Sequence, residues 1–227
     1  MKMIKFTTSQ KEVLLTLLAF SAVSTGLLIV RILASGTLRL SFLQWNLFLA
    51  WLPVVFAFFV KVRVFKPKDI TWQNMLLLAF WIFFLPNSFY IITDLIHLQS
   101  SGEVSLLYDT AMITSFVLNG LLLGYVSIYI IERVLKRFLE TKNIQIVVQL
   151  VLLLSAFAIY LGRYLRWNTW DIVFNPAGII FDVSDRIINP GSYLHTFVIT
   201  GTYFVLLSAT YLALRRLHKV IARHANE

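Results

Sequence analysis

Long apolar runs alternate with short polar stretches along the chain, and the runs are of membrane length. A helix that crosses the hydrocarbon core needs about 20 mostly apolar residues. Six segments qualify, at about 13–35, 42–60, 74–96, 106–131, 144–162 and 192–214. The pattern predicts an all-α polytopic membrane helix bundle with six transmembrane helices, a single transmembrane domain over 1–227. The first run follows basic residues as a signal peptide would. It continues to Arg31, too long for such an apolar region, and reads as an uncleaved span. Pro53 in the second run and Pro86 in the third each free a carbonyl, which predicts kinks beside a cavity.

Composition agrees with that pattern. The chain is 59% hydrophobic and only 14% charged, with a mean hydropathy of +0.78. A soluble domain is about a quarter charged. Cysteine is absent, which excludes disulfides, thiolate metal sites and a cysteine nucleophile. Fifteen of the 20 Lys and Arg residues fall at the N-terminus, in 61–73, in 132–143 and in the C-terminal tail. The other five, Arg31, Arg39, Arg163, Arg166 and Arg186, fall on the opposite side. The positive-inside rule then predicts that both termini are cytoplasmic. Topology and anionic lipid explain the basic loops, so no nucleic acid is implied.

Polar residues interrupt this pattern chiefly at the outer ends. In "LPNSFYIITDLIHL" (85–98), Asn87, Tyr90, Asp94 and His97 are spaced to share one helical stripe. A lipid-facing Asp near the bilayer centre costs about 2.5–3.5 kcal/mol, so this stripe is expected to face the bundle interior. The fourth run adds Tyr108 and Asp109 at its outer end and Asn119 further in, with Met112 and Phe116 between them. Gly120 and Gly124 form a GxxxG, which allows close helix approach. The fifth run ends "YLGRYLRWNTWDI", carrying Arg163, Arg166, Asn168 and Asp171, and the sixth brings His195 to the same level, with Thr202 a heptad below. The second contributes Gln44 and Asn46. Of these, Asn46, Asn87, Tyr90, Asp94, His97, Tyr108, Asp109, Arg163, Arg166, Asn168, Asp171 and His195 are expected to share one outward-facing pocket. The longest connection, 163–191, carries a stretch (175–191) whose apolar residues cluster between two Asn-Pro breaks. A short helix lying in the interface is expected there.

Together "NLFLAWLP" (46–53), "LPNSFYIITDLIHL" (85–98), "YD" (108–109) and "YLGRYLRWNTWD" (160–171) resemble the bacterial membrane family catalogued as domain of unknown function 1361. The resemblance implies a multi-pass protein of the bacterial cytoplasmic (inner) membrane, with no assigned activity to carry over.

The chemistry of the outer residues leaves several readings open. Asp94, His97 and Asp109 are candidates for general base or catalytic acid. With His195 they also make a two-His, two-Asp set suited to zinc or another divalent metal. One His from each of two helices could hold a haem, against which bulky Tyr90 argues. Arg163 and Arg166 have the planar fork that suits phosphate. With Asn87, Tyr90, Asn168 and Asp171 they form the candidate substrate-binding set, for a phospholipid or isoprenoid-phosphate ligand. The structural alternative is that Arg163 and Arg166 pair with Asp94 and Asp109 and tie helices together. Three functions follow: an enzyme or binding protein for a phosphate-bearing lipid or envelope substrate, a transporter component relaying protons along the Asp–His stripe, or an assembly partner that uses the GxxxG face.

Overall fold

All six apolar runs form helices in a computed structural model, which describes residues 8–64, 69, 71–100 and 102–224. Lys2, Lys5, Lys66 and Lys68, four of the basic residues counted above, lie outside the described residues. The helices are α1 (Thr8–Ser35), α2 (Phe42–Arg63), α3 (Trp72–Tyr90), α4 (Leu106–Leu135), α5 (Thr141–Tyr164), α6 (Asp171–Phe174), α7 (Pro176–Ile188) and α8 (Leu194–His224). A 3-10 helix, Ile91–His97, continues α3, and another, Pro190–Tyr193, leads into α8. Six helices are long and apolar enough to cross a membrane. They run a few residues past the apolar runs, because Lys and Arg stems extend a helix into the headgroup layer. Large apolar side chains such as Leu33, Leu154 and Val205 remain exposed along them, as a lipid surround requires.

The chain divides into two compact units, Met1–Leu139 and Glu140–Glu227. In the first, α2 packs against α3 and α4, and α1 packs on α4. Leu43, Leu47, Ala50 and Val54 of α2 interlock with Met112, Ile113 and Phe116 of α4 and with Ile91. The Phe42, Asn46 and Ala50 face of α2 meets α3 and its 3-10 extension in antiparallel register. The Phe42 ring lies edge-on to His97 at 4.9 Å. Asn46 Nδ2 donates to Asp94 Oδ2 at 2.9 Å, and Ser88 Oγ donates to the Ala50 carbonyl at 2.9 Å. The 3-10 geometry has three residues per turn, so Asp94 and His97 share one face. That is how the expected stripe turns its acid and imidazole onto α2 beyond the end of the α-helix.

The glycines of the GxxxG are filled from within the chain. A Cβ at Gly120 would stand 2.6 Å from the Ser88 carbonyl oxygen, and one at Gly124 would stand 2.6 Å from the Phe89 ring. Phe89 is fully buried. This face of α4 therefore receives α3, which removes the reason to assign it to a separate protein.

In the second unit α5 packs on α8, and α7 packs on α6 and on the 3-10 turn before α8. α7 falls between the two Asn-Pro breaks, as expected. Asn175 Oδ1 accepts from the Gly178 N–H at 3.1 Å, and Pro176 takes the first helical position, where a missing N–H costs nothing. Gly120→Ala is expected to destabilise by about 1–3 kcal/mol, since the added carbon meets backbone that cannot swing aside. Thermal unfolding in detergent should show a lowered midpoint, and an unchanged one would contradict this packing.

Candidate functional site

A charged triad of the first unit forms around Arg31, which is 0% exposed. Arg31 Nε donates to Asp109 Oδ1 at 3.1 Å, and Nη2 donates to Glu103 Oε2 at 2.8 Å. Nη1 reaches Ser35 and Thr37 at 3.3 and 3.2 Å. A guanidinium in a low-dielectric interior must satisfy its donors locally, and this one does. The triad ties the end of α1 to the loop before α4 and to the first turn of α4. Tyr108 reinforces it, donating to the Leu27 carbonyl at 2.8 Å. The Arg31 hydrogen bond, with Thr37 adding to it, holds the Glu103 carboxyl below the usual range.

Deeper in the same unit, α1, α2 and α4 share a second polar group. Asn119 Nδ2 donates to Ser21 Oγ at 3.1 Å, and Trp51 Nε1 donates to the same oxygen at 3.0 Å. Thr25 Oγ1 donates to Gln44 Oε1 at 3.0 Å. Met112 and Phe116, both fully buried, lie on α4 between Asp109 and Asn119.

Asp94 is 1% exposed and takes its hydrogen bond from Asn46. Asn87 and Tyr90 are half-buried, and Asn87 Nδ2 donates to the Phe84 carbonyl at 3.0 Å. Among the described residues no three His, Asp or Glu side chains come together in a way that could hold a metal ion. The zinc set drawn from Asp94, His97, Asp109 and His195 divides between the two units, the first three residues in one and His195 in the other. Asp109 is engaged by Arg31, Asp94 by Asn46, and His195 by Tyr160. Within the first unit the cation beside Asp109 is Arg31, while Arg163 and Arg166 belong to the second unit.

The second unit builds a different cluster, around Tyr160, a fully buried residue. Its hydroxyl lies 3.1 Å from His195 Nε2 and accepts from Arg186 Nε at 3.4 Å. His195 is exposed and touches the Tyr160 and Tyr164 rings, with centroids at 5.5 and 5.9 Å. Arg186 is 6% exposed. Its guanidinium lies 4.7 Å from the Tyr193 ring centroid, and Nη1 donates to the Asp182 carbonyl at 2.7 Å and to Asp182 Oδ1 at 3.3 Å. Trp167 Nε1 donates to Asp182 Oδ2 at 2.7 Å. Asp185 accepts from the Tyr193 hydroxyl and from Asn189 Nδ2. These two bonds, Tyr193 first, lower its carboxyl below the usual range.

The candidate residues at the end of α5 separate into bonded and unbonded. Asp171 Oδ2 accepts from the Asn168 N–H at 2.7 Å and from its Nδ2 at 3.4 Å, so this Asn and Asp bond to each other. Arg163 sits in the last turn of α5 and is half-buried. Arg166 lies past the helix end, exposed, in the left-handed region at φ 59°. The Leu165 and Trp167 N–H groups both return to the Leu161 carbonyl, at 3.1 and 3.2 Å. This closure suits glycine at the left-handed position, and a side chain there costs about 1–2 kcal/mol. The two arginines are thus not one α-helical turn apart, as their spacing suggests, because the helix ends between them. Neither guanidinium has a hydrogen bond, ion pair or ring contact among the described residues.

Arg31, Glu103, Tyr160, Asp182, Asp185 and Arg186 were not among the candidates. Arg31 did carry a signal, since an arginine inside an apolar run demands an acid. Thr202 was included for its position, but its hydroxyl donates to the Val198 carbonyl on its own helix at 2.8 Å.

A family model described as "Protein of unknown function (DUF1361)" matches residues 45–224. No curated protein and no solved structure matches the chain.

Arg31→Met leaves Asp109 buried without its cation and is expected to cost about 3–5 kcal/mol of unfolding free energy. Adding Asp109→Leu should restore much of it, and a double variant no better than the single would overturn the pairing. Because folding lowers the Glu103 pKa, its contribution is complete above the ordinary carboxylate pKa of about 4.3 and fades as pH falls through the folded value. Glu103→Gln should therefore flatten the acid side of the melting temperature against pH curve.

Proposed function

The chain belongs to the family of proteins of unknown function matched above, and we propose that it binds a phosphate-bearing lipid or envelope substrate through Arg163 and Arg166. The carrying observation is the contrast among its arginines. Arg31 and Arg186 are buried and surrounded by acceptors, whereas the guanidiniums of Arg163 and Arg166 have none among the described residues. Arg166 also occupies a backbone conformation that glycine would adopt without cost. Strain retained at an unpaired cation is understandable where the cation itself is used.

The planar guanidinium fork matches phosphate oxygens in pairs. The charge count supports cytoplasmic termini, and on that topology the α5 end reaches the outer leaflet, where lipid phosphates lie at the depth of a helix end. His195 supports the reading, since its exposed ring, held by the Tyr160 hydroxyl, adds a hydrogen-bonding group to the same unit. Asn168 and Asp171 shape the loop that carries Arg166. In this reading Asp109 is structural, since Arg31 neutralises it, and Asp94 and His97 hold α3 against α2. A proton-relaying transporter draws less support, because Met112 and Phe116 fill α4 between Asp109 and Asn119 with apolar side chains.

Arg166→Gly separates stability from binding. The variant should fold at least as well as the parent, since it removes the left-handed strain. It should nonetheless lose phospholipid carried through purification, read by native mass spectrometry, and the Arg163→Ala/Arg166→Ala pair should lose about tenfold or more in affinity, a change of about 1.4 kcal/mol. Unchanged lipid retention by the well-folded pair would end this reading.

A further inference from the structure

α7 is amphipathic in the opposite sense from a helix of a water-soluble fold, where the apolar stripe faces the core. Here the polar face packs on the protein. Asp182 meets Trp167 and Arg186, and Asp185 meets Tyr193 and Asn189. A Cβ at Gly178 would stand 2.7 Å from the Trp167 ring, so the polar side is closely packed. The apolar side points away. Ile180, Phe181, Ile187 and Ile188, at helical spacing, are 64–74% exposed. α6 extends the same character, with Val173 and Phe174 at 76% and 81% exposure.

We propose that the α6–α7 segment lies flat in the membrane interface, with its apolar face seated among the lipids. Lipid is the occupant because the face is continuous with a lipid-facing surface. The segment joins two helices of membrane-spanning character, α5 and α8. Leu194, Phe197 and Val198 carry the exposed apolar surface onward into α8. Trp170 and half-buried Trp167 flank the segment, as amphipathic rings do at headgroup level. Its acids and Arg186 are already paired internally, so apolar burial holds it in place rather than attraction to anionic headgroups. The Trp167–Asp182, Tyr160–Arg186 and Tyr193–Asp185 contacts keep the polar side turned inward. The inference goes beyond the phosphate reading. It adds that Arg163 and Arg166, just ahead of this segment in sequence, lie near headgroup depth, and only that last step rests on the phosphate reading.

The cysteine-free chain permits single-cysteine labelling of the full protein. Ile180→Cys, Ile187→Cys and a loop control, Ser100→Cys, would each carry an environment-sensitive fluorophore in phosphatidylcholine–phosphatidylglycerol vesicles. The first two should show blue-shifted emission against the control. They should be quenched more by a nitroxide near the headgroup than by one near the acyl terminus, and little by aqueous iodide. Unshifted emission with strong iodide quenching would place the segment in water and overturn the proposal. So would stronger quenching by the deep nitroxide. Shielding from both quenchers, with energy transfer between labelled copies, would assign the face to a second copy and overturn it as well. The readout does not depend on Arg163 or Arg166, so it stands or fails apart from phosphate binding.

Discussion

A guanidinium buried inside the folded chain is cut off from the water that would receive its donors, and that constraint shapes both units of this protein. In the first unit Arg31 draws in Asp109, Glu103, Ser35 and Thr37. The helices that supply these acceptors must then meet at one place. In the second, Arg186 is held by Asp182, by the Tyr160 hydroxyl and by the face of Tyr193. Such networks add little net stability, since desolvation offsets attraction, but they penalise any arrangement that leaves a member unpaired. They therefore select one packing among several that apolar contact alone would allow.

The same constraint bears on cations that are not buried. Arg163 and Arg166 stand at the end of α5, half-buried and exposed, where water can solvate them without protein acceptors. Every acid in the stretch that follows, Asp171, Asp182 and Asp185, is engaged by another partner. Among the described residues two guanidiniums are thus left without a partner, one of them on left-handed backbone, and the proposed anion binding starts from that pair.

Side-chain polarity within the first unit follows the lack of hydrophobic driving force between helices in lipid. Helices there associate through close packing and hydrogen bonds. Gly120 and Gly124 admit Ser88, Phe89 and Ile91 at near-backbone contact. Ser88, Asn46 and Asn119 supply the interhelical hydrogen bonds. Trp51 and Trp81, which as isolated letters suggest an interfacial belt, each donate to a serine on a neighbouring helix.

The six helices, their approximate limits and the short helix between two Asn-Pro breaks were legible in the sequence, because each depends on local hydropathy and on proline's missing N–H. Asp94, Asp109 and the α5 arginines were also legible as residues needing an explanation, since charge near lipid is costly wherever it occurs. Partner choice was not legible. Arg31 neutralises Asp109, and Asn46 bonds Asp94, because helices distant in sequence meet there and no local period encodes the meeting. The change to 3-10 geometry after Tyr90, the left-handed Arg166 and the outward turn of the α7 apolar face are likewise tertiary. Each is a local compromise that only the packed neighbours make the lowest in energy. What the sequence determined by itself was the solvent each segment requires; which polar group satisfies which was decided by the folded chain, since hydrogen bonds are short-ranged and directional and hydropathy is neither.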